Sequence, residues 1–136
     1  MGGYDVLVVN QDEALRGLLK VLLEEIPHVH AILAEDHAQA LGLAREVDPD
    51  LVLIDSALAH PSCFRLVTEL RGDPTTQAVP IILLTAISGI RERALAAGCD
   101  ACIEEPFDID HFTGLVRQHI ESYSARRRHD YAGLIK

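Results

Sequence analysis

Asp50-Leu-Val-Leu-Ile-Asp55 is the stretch of sequence that decides the fold. A short, continuous run of apolar residues is typical of a strand that is buried on both faces of a parallel sheet. The preceding Asp48-Pro49-Asp50 predicts a turn, and the run ends on a lone carboxylate. Three further apolar runs end on polar residues in the same way, at Asn10-Gln11, at Thr85 and at Glu105-Pro106. The sequence therefore predicts several buried strands whose carboxyl ends carry polar side chains.

Segments with helical periodicity separate the predicted strands. After the first strand, Val6–Val9, Asp12 is a candidate N-cap and Pro27 ends the following helix. The apolar residues of that helix predict a single buried stripe, made of Leu15, Leu18, Leu19, Leu22, Leu23 and Ile26. The other predicted strands cover residues 29–34, 80–84 and 101–103, and the other predicted helices cover residues 37–47, 62–71 and 108–123, with a short helix before residue 98.

Three residues are expected to mark helix ends. Gly72 is placed where a C-terminal cap follows the helix over residues 62–71. Ser88 is a candidate N-cap for the short helix that Gly98 stops. The last helix repeats the spacing of the first, with a predicted inward face made of Phe112, Leu115, Val116, His119, Ile120 and Tyr123.

Five strands that alternate with five helices predict a doubly wound, parallel five-stranded sheet covered on both faces. This is a three-layer α/β sandwich, because buried parallel strands need right-handed helical crossovers. We expect one domain over residues 1–123 and a basic C-terminal helix extension or linker over residues 124–136, with Arg126 to Arg128 as its basic cluster. Ligands of such sheets bind beyond the carboxyl ends of the strands, where the strand order reverses. That rule directs attention to the four polar strand ends.

The composition limits the classes of function. At 136 residues the chain is expected to form a single domain. Its net charge of −9 argues against a general nucleic-acid or membrane-surface binder, since phosphates are repelled by most of the surface. No apolar stretch reaches the ~20 residues of a membrane span, and the N-terminus lacks a signal-peptide pattern. With three cysteines and no disulfide pattern, a cytoplasmic setting is expected.

Metal and redox sites elsewhere in the chain are not favoured. Cys99 and Cys102 form a Cys-x-x-Cys pair, but zinc needs four ligands and only Cys63 remains. A thioredoxin-like pair opens a helix after the first strand, whereas this pair leads into the fifth strand. All three cysteines are therefore expected to be buried and structural. The scattered histidines His28, His30, His37 and His60 are expected on the surface.

An enzyme that binds a flavin or a dinucleotide is the competing class on this architecture. It needs a glycine- or hydroxyl-rich loop after the first strand, where backbone N–H groups cradle phosphate. The loop Asn10-Gln-Asp-Glu13 has no glycine and contains two adjacent acids. We therefore do not expect an enzyme.

The chain resembles the response-regulator receiver domains of two-component signalling, with the chemotaxis-regulator type of fold, a flavodoxin-like sheet. The resemblance covers residues 5–122 and rests on four segments: Asp50–Asp55, Val79–Ala86, Ala97–Asp100 and Pro106-Phe107. It implies that Asp55 is at the position that takes a phosphoryl group from a histidine kinase. In the family, Mg²⁺ held by an acidic pair after the first strand, and a lysine after the fifth strand, neutralise the charge of this reaction.

Both sources of positive charge, the Mg²⁺ site and the lysine, are altered in this sequence. Asn10-Gln11 replaces the acidic pair and Glu105 replaces the lysine, so neither a metal nor any other cofactor is expected. Asp12 and Glu13 are the alternative Mg²⁺ ligands, but the resemblance places them at the start of the helix. Mg²⁺ prefers carboxylates and retained water, so neutral amides are poor substitutes.

The switch of the family is also altered. Thr85 matches the hydroxyl that binds the phosphoryl group, and either a working switch or a satisfied strand-end hydroxyl fits it. Cys102 stands where the family has the aromatic partner of that switch. Ala59 replaces a proline four residues after the acceptor, and Cys63 replaces a glycine, which indicates altered loop geometry.

Two functions are therefore weighed. The first is a pseudo-receiver, a protein-interaction module with a degenerate phosphorylation site. The alternative is a functional response regulator that accepts phosphate on Asp55 with Thr85 and an atypical Mg²⁺ site. A third hypothesis is charge mimicry, with Glu105 and Asp55 fixing one conformation. Expected partners are a histidine kinase or an output protein, bound through residues 91–97 and 108–123, or a second copy in a homodimer; nucleic acid and membranes are not expected.

Overall fold

The computed structural model of the chain describes residues 2–58 and 62–135, with side chains for residues 2–58 and 63–128. Strands and helices alternate along these residues. In chain order they are β1 (Tyr4–Val9), α1 (Glu13–Glu24), β2 (Val29–Ala34), α2 (His37–Val47), β3 (Leu51–Asp55), α3 (Ser62–Gly72), β4 (Ile81–Thr85), α4 (Arg91–Ala97), β5 (Ala101–Glu104) and α5 (Ile109–Ile135). The predicted α/β architecture is confirmed, and no helix of the described residues is long and apolar enough to cross a membrane.

The five strands form one parallel sheet in the order β2-β1-β3-β4-β5. Residues of β3 alternate between the two faces: Leu51 and Leu53 pack with buried side chains of α1 and α5, and Val52 and Ile54 pack with those of α2, α3 and α4. Every residue of β3 is buried, as a strand between two helical layers must be. The strand order reverses between β1 and β3, so the ends of these two strands form the switch point of the sheet.

One residue of the predicted α1 stripe is misplaced. Leu19, Leu22 and Leu23 are buried as expected, but Leu18 is 52% exposed. Successive residues of an α-helix are rotated by about 100°, so Leu18 is carried from the sheet to the solvent side when Leu19 points inward. The buried stripe of α1 is narrower than the run of leucines.

Helix-end predictions are partly confirmed. Asp12 caps α1, because its side chain accepts hydrogen bonds from the backbone N–H groups of Ala14 and Leu15. Ser88 does not cap α4: the N-cap is Ile90, which makes no side-chain cap bond. Gly89 has φ of 82° and turns the chain after Ser88, so the helix begins later than predicted.

Gly72 is the last residue of α3 rather than the cap that follows it. At the end of the chain, α5 continues unbroken through residues 124–135.

Arg127 ties the long α5 to the opposite end of the sheet from the strand ends discussed above. Its guanidinium lies 2.8 Å from Asp48 and 3.5 Å from Asp50, in the turn before β3. The same group stacks over the ring of Tyr123, at 5.2 Å from the centroid. Asp50 in turn accepts a hydrogen bond from the backbone N–H of Asp5, at the start of β1. These ion pairs of Arg127 hold the part of α5 that follows its buried residues against the turn before β3.

Arg71 links three elements at the end of α3. Its guanidinium donates to the carbonyl of Val79, at 2.6 Å, just before β4, and to the carbonyl of Gly98, at 2.9 Å, after α4. It also donates to the carboxylate of Asp100, at 2.8 Å, just before β5. The same Asp100 oxygen accepts the backbone N–H of Ile81. One side chain therefore satisfies several backbone groups that secondary structure leaves unpaired.

Replacement of Arg71 by Met is expected to lower the free energy of unfolding by about 2–4 kcal/mol. The change leaves several partly buried acceptors without a donor, and hydrogen bonds to charged groups contribute about 1.5–3 kcal/mol each without being additive. Urea denaturation followed by circular dichroism measures the loss. Arg65→Met is the matched control on the same helix, because Arg65 is exposed and, among the described residues, its guanidinium pairs with Glu69 alone. That control should change stability by less than about 1 kcal/mol; equal losses for the two variants would contradict the structural role of Arg71.

Candidate functional site

The ends of β1 and β3 bring Asn10 and Asp55 into contact. Val9 pairs with Ile54 in the parallel register of these strands, so the next residue of each strand lies at the same edge of the sheet. The amide Nδ2 of Asn10 donates a hydrogen bond of 2.7 Å to Oδ2 of Asp55. Both side chains are buried, with exposed fractions of 2% for Asn10 and 5% for Asp55. The contact forms at the switch point of the sheet, where ligands of this architecture bind.

The orientation of the Asn10 amide is fixed by a backbone donor. The N–H of Asp12 donates to Oδ1 of Asn10 at 2.6 Å, and an N–H can donate only to the oxygen of an amide. Nδ2 must therefore be the atom that faces Asp55. The backbone carbonyl of Asn10 is held as well, by the guanidinium of Arg16 at 2.6 Å. Asn10 thus presents a donor, rather than an oxygen, to the carboxylate.

Hydrogen-bond donors bind both oxygens of Asp55. Besides the amide of Asn10, the backbone N–H of Ala57 donates to Oδ1 at 2.7 Å. Burial raises the pKa of Asp55, and the two hydrogen bonds partly oppose this shift because they favour the ionised form. The nearby charge of Asp12 raises the pKa of Asp55 further. The two hydrogen-bond donors thus offset the burial of the Asp55 charge only in part.

Glu105 is placed on the same pocket as Asp55. The pocket has a volume of about 400 Å³ and is lined by Asn10, Gln11, Asp12, Leu15, Asp55, Ser56, Ala57, Ala86, Ile87 and Glu105. Glu105 follows β5, and its backbone N–H donates to the carbonyl of Thr85 at 2.7 Å. Its half-buried side chain has a raised pKa, first because of burial and then because of the charge of Asp55. The family resemblance implies a lysine at this position, whereas here the carboxylate of Glu105 repels that of Asp55.

Thr85 binds a hydroxyl group that sequence reasoning missed. Ser56 Oγ donates to Thr85 Oγ1 at 2.7 Å, and the same oxygen accepts the backbone N–H of Ile87 at 2.9 Å. Thr85 is fully buried and Ser56 nearly so. The sequence did contain a signal for this contact: Ser56 directly follows β3, Thr85 ends β4, and these two strands are neighbours in the sheet.

Two of the oxygen atoms near Asp55 that could serve as metal ligands already accept hydrogen bonds from the backbone. The oxygen of Asn10 already accepts the N–H of Asp12, and Oδ1 of Asp12 accepts the backbone N–H groups of Ala14 and Leu15 at 2.9 and 3.2 Å. Glu13, the other suggested ligand, is exposed in the first turn of α1. Among the described residues no group of three or more His, Cys, Asp or Glu side chains could hold a metal ion. Mg²⁺ prefers near-octahedral oxygen ligation with one or two carboxylates, and the carboxylates of this pocket besides Glu105 are those of Asp55 and Asp12.

The cysteines are part of the hydrophobic core. Cys63, Cys99 and Cys102 are buried, reduced and packed in the cluster that α2, α3 and α4 form against the sheet. Burial raises the pKa of each thiol, and that of Cys99 reaches about 12. Thiols of this kind are largely un-ionised and unreactive at neutral pH.

None of the histidines whose side chains the structure describes lines the pocket. His28 and His30 are exposed, and His37 is half-buried with Nε2 at 3.4 Å from Glu69. Ala59, expected to alter the loop after Asp55, and His60 lie outside the described residues.

Comparison with known proteins identifies the family. The sequence model of the response regulator receiver domain matches residues 6–117. The polar-differentiation response regulator DivK of Brucella ovis is 30% identical over 117 residues, which cover 85% of this chain and 94% of DivK. The chain therefore belongs to the response regulator receiver domain family, and it is a receiver domain of two-component signalling.

Solved structures share the fold. The receiver domain of a sensor histidine kinase from Pseudomonas aeruginosa PAO1, with a magnesium ion coordinated in its active-site cleft, has a TM-score of 0.78 at 25% identity. The match covers 88% of this chain and 99% of that one. NtrX from Brucella abortus, in complex with ADP, has a TM-score of 0.83 at 21% identity and covers 96% of this chain and 29% of NtrX. The likeness to NtrX concerns the fold alone.

Replacement of Glu105 by Gln is expected to raise the free energy of unfolding at pH 7 by up to about 1 kcal/mol. The pKa of Glu105 is raised in the folded state above its ordinary value of 4.5, so its ionised form is less stable there than in the unfolded chain. This cost is present above the folded-state pKa and absent below the ordinary value, where Glu105 is protonated in both states. Urea denaturation at pH 7 and at about pH 3.5 measures the difference.

Glu104→Gln is the matched control, because Glu104 is the exposed neighbour of Glu105. It should change stability by no more than about 0.5 kcal/mol at either pH. If the gain of Glu105→Gln persists at the lower pH, the effect does not come from the charge of Glu105.

Proposed function

We propose that this receiver domain is a protein-interaction module that works without Mg²⁺-dependent phosphorylation of Asp55. The observation that carries the proposal is the 2.7 Å hydrogen bond from Asn10 Nδ2 to Asp55. It places a neutral donor against the carboxylate on the side where the family resemblance implies a metal. The role proposed for Asp55 is structural: it accepts the donors that join β1, β3 and the following loop.

The chemistry of phosphoryl transfer supports this proposal. A carboxylate can attack a phosphoryl group only if cations offset the combined negative charge, so positioned positive charge provides most of the catalysis. Two unit charges at ~4 Å interact by about 4 kcal/mol at an effective dielectric constant of ~20. Replacement of a lysine by Glu105 therefore removes an attraction and adds a repulsion, and this repulsion contributes to the raised pKa of Glu105. Gln11, exposed at the rim, brings no charge in compensation.

A second candidate function is an unorthodox phospho-acceptor. The observation that favours it is Asp12, whose charge is close enough to Asp55 to raise its pKa. Oδ1 of Asp12 accepts the backbone N–H groups of Ala14 and Leu15 at the start of α1, so a metal ion bound between these two carboxylates would share Asp12 with the N-cap of the helix. An N-cap contributes about 1 kcal/mol. The first candidate leaves Asp12 to its capping role alone.

Receiver domains act by binding histidine kinases and other proteins, and we propose the α4 and α5 segments as the contact surface of this one. Residues 91–97 and 108–123 carry two exposed large apolar side chains, Leu95 and Ile109. Exposed apolar groups flanked by charges are typical of protein interfaces. The net charge of −9 supports a protein rather than a nucleic acid as the partner, whether an output protein or a second copy of this chain.

Incubation with acetyl phosphate and Mg²⁺ is expected to leave the intact mass of the protein unchanged. The triple variant Asn10→Asp, Gln11→Asp, Glu105→Lys restores two carboxylates and one cation around Asp55. It is expected to gain the mass of one phosphoryl group, because the charges of the transferred group are then offset. Mass spectrometry measures the gain, and titration calorimetry measures Mg²⁺ binding, which should appear only in the triple variant.

Asp55→Asn in the background of the triple variant is the control, since it removes only the acceptor. It should abolish the gain in mass while leaving the restored cation in place. A phosphoryl gain by the unaltered protein that disappears in its own Asp55→Asn variant would contradict the proposal and favour the second candidate.

A further inference from the structure

The hydroxyl pair of Ser56 and Thr85 connects the acceptor strand to the loop between β4 and α4. We propose that Ser56 is a positioning residue: it holds Thr85, and through Thr85 the Ile87 segment, in one place without any chemistry at Asp55. This inference rests on the proposed function, because a phosphoryl group on Asp55 would be a further acceptor for the Thr85 hydroxyl and would change how the loop is held. It goes beyond that function by naming the residue that holds the loop in place without such a group.

Three hydrogen bonds form a continuous connection from β3 to the loop. The backbone N–H of Ser56 donates to the carbonyl of Leu84 at 2.8 Å, which fixes Ser56 beside the end of β4. Ser56 Oγ then donates to Thr85 Oγ1 at 2.7 Å, and the backbone N–H of Ile87 donates to the same Oγ1 at 2.9 Å. Both lone pairs of the Thr85 oxygen are therefore in use. We call these three bonds the hydroxyl connection.

Burial means that the partners of the Thr85 hydroxyl must come from the chain. Thr85 is fully buried, so water has poor access to its oxygen, and a buried hydroxyl group without a partner costs about 1–3 kcal/mol. The partners are the backbone N–H of Ile87 and the hydroxyl of Ser56, which is itself 9% exposed. A hydroxyl built into the chain is always present, whereas a phosphoryl group is present only after a transfer reaction.

The hydroxyl connection affects the shape of two pockets, because it holds Ile87 in place. Ile87 is 55% exposed and forms a wall shared by two pockets. One is the pocket of about 400 Å³ that contains Asp55. The other, of about 300 Å³, is lined by Ser56, Cys63, Phe64, Ile87, Ser88, Gly89, Ile90 and Arg93. Ser56 also lines both pockets. The two residues that the hydroxyl connection joins, Ser56 and Ile87, therefore lie where the two pockets meet.

The charged side of the second pocket is organised separately. The guanidinium of Arg93 stacks over the ring of Phe64, with 4.9 Å to the centroid. This contact joins α3 and α4 without involving Thr85. Loss of the Ser56 hydroxyl should therefore release the Thr85–Ile87 segment and leave the packing of α4 on α3 intact.

Amide hydrogen exchange of the unmodified protein, without phosphodonor or Mg²⁺, tests the proposal residue by residue. Ser56→Ala is expected to accelerate exchange of the Ile87 amide by about fivefold, the factor that corresponds to one hydrogen bond. Thr85→Val removes the acceptor itself and should accelerate it more. Ser56→Thr keeps a hydroxyl and should restore the slow rate. Ser88→Ala, an exposed serine in the same loop, is the matched control and should leave the rate unchanged.

Buried amides of β3 and β4, such as those of Leu53 and Leu83, report whether each variant keeps its sheet. Unchanged exchange there, with faster exchange at Ile87 in Ser56→Ala, supports the proposal. If Ile87 exchanges at the same rate in Ser56→Ala as in the unaltered protein, Ser56 does not position the loop and the proposal is overturned. A failure of the proposed function is separate, since it appears as a gain in mass with acetyl phosphate and not as an exchange rate.

Discussion

The hydrogen bond between the amide of Asn10 and the carboxylate of Asp55 joins the two strands at which the sheet reverses its order. A buried carboxylate without compensation is too costly to persist, so something must offset its charge. Here the offset comes from two N–H donors, those of Asn10 and Ala57. The Asn10 amide is oriented by the N–H of Asp12, and Asp12 in turn caps α1. The start of α1 and the acceptor strand are therefore coupled through one side chain.

Sequence periodicity predicted the strands, their order of alternation with helices and the strand ends, because burial on both faces leaves a continuous apolar run. β2 and α2 have the predicted limits, Val29–Ala34 and His37–Val47. Periodicity was less reliable where an element is buried on one side only: Leu18 is apolar yet exposed on α1. At Ser88 the backbone turn at Gly89, rather than the type of residue, decided where α4 begins.

The interactions that the sequence did not predict connect residues far apart in the chain. Arg71 reaches Asp100, and Arg127 reaches Asp48, and nothing in the local sequence of either arginine indicates its partner. Ser56 and Thr85 are 29 residues apart and meet only because β3 and β4 are neighbours in register. Such contacts follow from topology, so they can be predicted once strand order and register are known, and not before. The position of Asp55 at the end of β3 was predictable, because it depends on one strand alone.

The replacements around Asp55 depend on one another. With a lysine at position 105, the charge of Asp55 would be offset by an ion pair as well as by the donors that already bind it. With an acid at position 10, the carboxylate of Asp55 would face a second negative charge at hydrogen-bond distance, and one of the two would need a proton or a metal ion. Asn10 removes that need, and Glu105 then meets a carboxylate whose charge is already bound by donors, so its half-buried position is tolerated at the cost of a raised pKa. The same logic extends to Thr85, whose hydroxyl oxygen is occupied by Ser56 and Ile87. Both oxygens of Asp55 and the oxygen of Thr85 thus accept hydrogen bonds from within the chain, and these bonds join β1, β3 and the β4–α4 loop at this edge of the sheet.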